Sequence, residues 1–210
     1  MYLFARRLTT MGSPRRTMPW ATRITEHANS VAPLDIMCWS TTFGHPIGTF
    51  AWTTLVETEH VLADGTAALA ADENYLDLVD EAADLVAAPG LDELGSIIHG
   101  SPDGTPPPIG AVASVTRATA LVDRMEDALT WSIDIAQHVE RVSGTPVAVA
   151  TGVYGTMGDV SWIAIAPDRA SVDANRAAVQ ADPDYIGRLA ATGDLFIPGS
   201  GHVSQSIRIA

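Results

Sequence analysis

The sequence predicts an α+β protein in which one βαββαβ unit occurs twice. Two observations carry that expectation: an internal repeat at an offset of 110–111 residues, and the same order of strand-like and helix-like segments in each half. The pattern W-x-x-x-I-x-x-H at Trp20, Ile24 and His27 returns at Trp131, Ile135 and His138. Gly48 and Trp52 match Gly158 and Trp162, and Ala71, Asp72 and Tyr75 match Ala181, Asp182 and Tyr185. Ser96 and Ile97 match Ser206 and Ile207. Four matched segments in one order set the folding unit at half the chain. Residues 1–100 and 111–210 are therefore expected as two repeats, joined by a linker at 101–110 whose four prolines and two glycines continue neither helix nor ladder.

Each element is then read once and checked against its counterpart. YLFARRLT alternates as a strand does, and its partner AVASVTRA is small and β-branched. Trp20, Ile24 and His27 follow, on one face of a helix by their spacing of four and three; Leu129, Ile133 and Ala136 widen the equivalent stripe. Two strands come next, LDIMCWSTTF and GTFAWTTLVE, around a turn punctuated by Gly44, Pro46 and Gly48. PVAVATGVY and DVSWIAIA surround GTMG in the second half. A long helical pattern places Leu76, Val79, Ala83 and Val86 on one face, and its counterpart runs from Ser171 to Leu195 with a break at Pro183. LGSIIHG and VSQSIRIA close the halves as short strands.

That order is the ferredoxin-like one, two helices on one face of a four-stranded antiparallel sheet. Such a sheet leaves its second face bare. The strands PVAVATGVY and DVSWIAIA are apolar at nearly every position, so both of their faces are expected to be covered. The economical arrangement packs the two antiparallel sheets face to face as an intramolecular α/β barrel. With these residues in view, the chain resembles a tandem, fused member of the dimeric α/β barrel superfamily. AALAADENYLDLVDEAADLV and VQADPDYIGRLA resemble the second helix of its NIPSNAP-like and antibiotic-biosynthesis-monooxygenase-like members. The shared motifs are structural. What the resemblance implies about activity spans cofactor-independent monooxygenases, haem-binding and haem-degrading proteins, isomerases and members without chemistry.

Composition narrows the function classes. The 210 residues hold 12 Arg, no Lys and 25 acids, for a net charge of −13, which excludes nucleic-acid binding through general basic charge. Apolar residues make up 47% and charged residues 18%, enough for a substantial core. A single cysteine, Cys38, rules out an internal disulfide and a multi-cysteine metal site, and is expected as an inert core residue. No apolar run reaches the roughly 18 residues that would span a bilayer. Met1 to Arg16 lacks the apolar stretch of a secretory signal, so a cytoplasmic protein without membrane contact is expected. Five Arg and no acid lie between Met1 and Arg23, whereas eleven acids and no base lie between Glu57 and Glu93. These stretches either pair within the chain or steer self-association of copies.

Candidate site residues follow from where the repeat breaks. Trp52 and Trp162 are matched and read as packing. Trp39, Phe43 and Tyr154 are the candidates to line an apolar ligand pocket, with Trp39 and Tyr154 breaking the repeat. His27 and His138 are weaker polar candidates: a histidine there serves as base or ligand, or packs its helix on the sheet by bonding a backbone carbonyl. His45 falls in a turn, and no two histidines have helical ligand spacing, so no metal site is expected. Haem-degrading members of the resembled superfamily pair an axial histidine with asparagine and tryptophan; Asn29 and Asn74 are present but fall in no motif that aligns, and no cofactor is expected. With catalytic motifs missing, the expectation is a non-catalytic structural module that self-associates or joins a larger assembly. The alternative is a cofactor-independent monooxygenase-type enzyme holding a small aromatic substrate between the sheets. A weaker one is a carrier of haem or another small hydrophobic ligand. An open cavity between the halves discriminates them.

Overall fold

The computed structural model describes residues 1–100 and 105–210, so the linker expected at 101–110 lies partly outside the described residues. The elements run β1 (Tyr2–Thr9), α1 (Pro14–Val31), β2 (Met37–Phe43), β3 (Thr49–Val56), α2 (Glu59–Ala70), α3 (Glu73–Glu81) and β4 (Leu91–His99). They continue as β5 (Val112–Thr119), α4 (Met125–Ser143), β6 (Val147–Tyr154), β7 (Asp159–Ala166), α5 (Arg169–Ala181), α6 (Pro183–Ala190) and β8 (His202–Arg208).

The eight strands form one closed antiparallel barrel in the order β1-β3-β2-β8-β5-β7-β6-β4. Read around the ring, the first four strands stand as β4-β1-β3-β2 and the last four as β8-β5-β7-β6. Two seams join these sets. At one, Trp39, Ser40 and Thr41 of β2 face Arg208, Ile207 and Ser206 of β8; at the other, Leu94 to His99 of β4 face Tyr154 to Val149 of β6. The sheets expected to pack face to face are thus stitched edge to edge and face each other only across a lumen. Closure consumes the edges that an open sheet leaves with unpaired N–H and C=O groups.

Once the ring is closed, the strand period of two sorts residues between lumen and helices. Leu3, Ala5 and Arg7 of β1 point into the lumen. Tyr2 and Leu8 point outward, into clusters under the helices. Trp20, Ala21 and Ile24 of α1 pack there with Cys38, Phe50 and Leu85. Ala128 and Ala136 of α4 pack with Val147, Val149 and Val160. Trp20 meets Trp52 edge-on at 5.7 Å and Trp131 meets Trp162 at 6.0 Å. The indole N–H groups of Trp52 and Trp162 donate to Thr25 Oγ1 and the Ser132 carbonyl, 2.8 and 3.0 Å away, so these partly buried aromatics leave no donor orphaned.

The helical pattern expected through Val86 is interrupted. Asp72 accepts the Tyr75 N–H at 2.7 Å and so caps a new helix, which separates α2 from α3. In the second half the break falls where Pro183 occupies the first turn of α6. The uneven charge is partly neutralised within the chain: Arg23 lies 2.6 Å from Glu81 on α3, and Arg6 lies 2.7 Å from Asp92. Both pairs are half-exposed and contribute about 0–1 kcal/mol each. No helix among the described residues is long and apolar enough to cross a membrane.

Each seam is flanked by a glycine that no other residue replaces. Gly44 (φ +86°) would place a Cβ 2.3 Å from the Val203 carbonyl and 2.7 Å from Ser204 Cα, and Gly100 (φ +68°) 2.4 Å from the Val147 carbonyl. Gly110 (φ +91°) would meet no described atom. Gly44→Ala and Gly100→Ala should each cost at least about 2 kcal/mol, against about 1 kcal/mol for Gly110→Ala, which carries the left-handed penalty alone. Urea unfolding of the three variants checks this; equal losses would refute close packing at the seams.

Candidate functional site

The inward side chains of the eight strands enclose a cavity of about 550 Å³, within the range of small-molecule sites. Its two ends differ. Leu3, Met37, Leu55, Ile97, Ile163 and Ile165 make an apolar wall. Arg7, Arg117 and Tyr154, late in β1, β5 and β6, join Glu93 and Asp159, early in β4 and β7, at the opposite, polar end. His45, in the turn between β2 and β3, completes it.

The polar end is held by an ion network that crosses the lumen. Arg117 Nη1 and Nη2 donate to Glu93 Oε1 and Oε2 at 2.7 and 2.9 Å, and Arg7 Nη1 lies 2.5 Å from the same Oε2. In the ring β1 and β5 are four strands apart in either direction, so the two guanidinium groups reach one carboxylate from opposite walls. All three side chains are a quarter exposed or less. Burial alone would raise the Glu93 carboxyl, but the Arg117 hydrogen bonds and both positive charges outweigh it and hold the group below its usual range. Arg7 is lowered by burial and then by repulsion from Arg117. Asp159 accepts from Thr119 Oγ1 at 2.8 Å. Arg117 Nε is buried and has no hydrogen-bond partner.

His45 is the titratable group at this end that suits proton transfer. Burial, followed by Arg7, His202 and Arg117, pushes its pKa below the ordinary 6.5, which keeps the ring neutral at pH 7. Its ring centroid lies 4.9 Å from that of His202.

The residues singled out from sequence are distributed as follows. Trp39 lines the lumen, is 4% exposed, and donates from Nε1 to Thr53 Oγ1 at 2.8 Å. Tyr154 stands at the rim, 60% exposed, with its hydroxyl 3.3 Å from Glu59 Oε2. Phe43 does not line the lumen: a register shift against β8 between Thr41 and Phe43 turns it outward, 62% exposed, under the Arg169 guanidinium. His27 and His138 lie in the helical layer. Their Nε2 atoms are 2.7 Å from Asp72 and Asp182, the residues that cap α3 and α6, so a carboxylate takes the place of the expected backbone carbonyl. Asn29 exchanges two hydrogen bonds with the Ile36 backbone. Cys38 is fully buried, and burial pushes its thiol up to about 12. No group of three or more His, Cys, Asp or Glu among the described residues could hold a metal ion.

Sequence reasoning passed over Arg7, Arg117, Glu93 and His45. A signal was present: Arg7 and Arg117 stand 110 apart, the repeat offset, whereas His45 and Glu93 fall opposite Gly155 and Val203 and break the match.

No family model and no curated protein matches this chain. Solved structures do. A candidate monooxygenase from Fusobacterium nucleatum superposes with a TM-score of 0.76 at 8% identity, covering 100% of this chain and 92% of the other. A candidate monooxygenase from Lactobacillus acidophilus gives 0.63 at 11% identity, covering 99% and 93%. An anthrone oxidase-like protein gives 0.66 at 13% identity, covering 100% and 92%. The chain therefore shares the α/β barrel fold of these structures; they carry no support for the NIPSNAP-like side of the resemblance.

The expectation of a non-catalytic assembly module is overturned on two counts. A sealed interface between the halves would have removed the enzyme and carrier readings, and the interior is instead an open chamber of ligand size. The three structures just described, which share the fold across their length, are named as candidate monooxygenases or as anthrone oxidase-like. The enzyme alternative is the better supported.

If Arg7 and Arg117 help hold His45 neutral, removing one positive charge should let the ring protonate more readily. NMR titration of His45 is expected to give a pKa below 6.5 in the wild type and a higher one in Arg117→Gln. A value above 6.5 in the wild type, or no upward movement in the variant, would contradict the described electrostatics.

Proposed function

We propose that this chain is a cofactor-independent, monooxygenase-type enzyme that oxidises a small aromatic substrate in the barrel lumen. The observation that carries the reading is a neutral His45 beside two arginines at one end of a ligand-sized chamber whose other end has an apolar wall. The halves 1–100 and 111–210 are read as a duplicated ferredoxin-like unit, supported by the matched segments and by the matching strand orders. One chain closes the barrel, so the chamber needs no second copy.

An aromatic ring system lies against the Ile97, Ile163 and Ile165 wall and the Trp39 indole, with its acidic C–H or O–H at the polar end. Neutral His45 accepts that proton, and the positive charge of Arg7 and Arg117 favours the resulting anion. The electron-rich carbanion or its phenolate form passes electrons to O₂ and bonds to oxygen, and His45 returns a proton to give a hydroperoxide. Loss of the remaining C–H proton expels hydroxide, so CH₂ and O₂ become C=O and H₂O.

Oxygen uptake with anthrone, followed by chromatography, tests the proposal. The expected result is enzyme-dependent anthraquinone formation with one O₂ consumed per substrate, and a loss in kcat/KM of about 10²–10⁴-fold in His45→Gln. The base must be unprotonated to act, so activity is full above the His45 pKa and falls as pH drops through it, which puts the acid limb below pH 6.5. No uptake above the buffer rate with anthrone and its hydroxylated analogues, or a rate unchanged in His45→Gln, would overturn the reading.

A further inference from the structure

The two seams of the barrel correspond in sequence but differ in construction. A shift of 110 residues carries β2 and β4 onto β6 and β8, and so relates the β2–β8 seam to the β4–β6 seam. The first is latched from outside. Arg169, at the start of α5, donates from Nη1 to Gln205 Oε1 on β8 at 3.3 Å and from Nη2 to Thr42 Oγ1 on β2 at 3.2 Å. The backbones also stay close past the end of that ladder, where a Cβ at Gly44 would lie 2.3 Å from the Val203 carbonyl.

At the β4–β6 seam the positions 110 residues from Arg169, Gln205 and Thr42 hold Glu59, Gly95 and Gly152. The glycines offer no side chain to a latch, and Glu59 accepts from the Tyr154 hydroxyl at 3.3 Å. The ladder ends at the Leu94–Tyr154 pair, so Leu91 to Glu93 run on without a partner in β6. A Cβ at Gly155 would meet Glu93 Cγ at 3.8 Å and nothing closer among the described residues. The exposed Tyr154 stands in this notch. Outside it lies a second cavity, of about 560 Å³, between α2 and the outer side of β1 and β4. Its lining is largely apolar, with Phe4, Leu62, Ala63 and Ala67. Glu93, Leu94 and Tyr154 line this cleft and the lumen alike, so the wall between the two spaces is one residue thick.

We propose that the lumen is loaded through the end of the β4–β6 seam, with the cleft under α2 as the antechamber for an uncharged planar aromatic and the Tyr154 ring as the gate. The inference rests on the reading of the lumen as a ligand chamber and adds the route by which that chamber fills. Moving Tyr154 aside gives up one long, exposed hydrogen bond and no ladder pair beyond its own, whereas opening the other seam breaks the Arg169 latch and the packing of Gly44.

Stopped-flow fluorescence of the intact protein with N-phenyl-1-naphthylamine, an uncharged aromatic that brightens in apolar surroundings, tests the portal. A route sets the height of a barrier and not the depth of the site, so altering it moves association and dissociation together. Ala67→Trp, which fills the cleft from an exposed helix position, should slow both rates about tenfold or more and leave Kd within about threefold. Tyr154→Ala should speed both, which keeps the test decisive if the bulky variant does not fold. Rates unchanged in both variants, with the probe still bound, overturn the portal and leave the chamber standing. A weaker Kd in Ala67→Trp that comes from faster dissociation alone also overturns it, because the probe then sits in the cleft itself. No binding of the probe to the wild type overturns chamber and portal together.

Discussion

Closure of the sheet at the β2–β8 and β4–β6 seams is the constraint on which the other features of this protein depend. An open four-stranded sheet with helices on one side has an inner face that must be buried somewhere, and two edges that invite pairing. Joining both pairs of edges converts two such sheets into a ring, and the ring creates an interior. Alternation then sends Leu3, Ala5 and Arg7 inward and their neighbours under the helices. A side chain's role follows from the side of the ring it occupies. The tryptophan pairs pack edge-on in the outer layer, and Trp39, on the inner side, faces the chamber.

The polar end of that chamber follows from the same closure. β1 and β5 contribute an arginine each from opposite walls, and both reach one carboxylate on β4. The network ties the two halves together across the lumen, besides the two backbone seams. It also sets the electrostatics of His45, which lies in a turn at that end and is kept neutral by burial and by the neighbouring positive charge. Chemistry and architecture are coupled here: the charged groups that join the walls, Arg7 and Arg117 with Glu93, also line the polar end of the chamber.

Much of the fold was legible because it is written in local periodicity. The strand and helix order, the break at Pro183 and the packing of Trp52 and Trp162 follow from spacing alone. The division of the long helical pattern at Asp72 was missed because a cap competes with a continuing apolar stripe and the stripe masks it. The site was legible only in part. Trp39, singled out by its failure to repeat, faces the lumen, whereas a bulge turns Phe43 away from it and leaves no mark in composition. His27 and His138 drew attention by recurring, yet recurrence reflected their bonds to the capping residues Asp72 and Asp182. Arg7 and Arg117 also recur, but their meeting on Glu93 depends on closure across eight strands, a long-range geometry that spacing along the chain does not encode.

On the proposed function, the inside of the ring, and not the helical layer, receives the ligand. Isoleucine-methyl NMR tests it most directly, because Ile97, Ile163 and Ile165 line the lumen while Ile24 and Ile135 are buried in the helical layer. Titration with a naphthalene-ring probe should shift the three lumen methyls through the ring current and leave the two outer ones in place. Shifts confined to Ile24 and Ile135, or to exposed positions such as Ile47, would contradict the account.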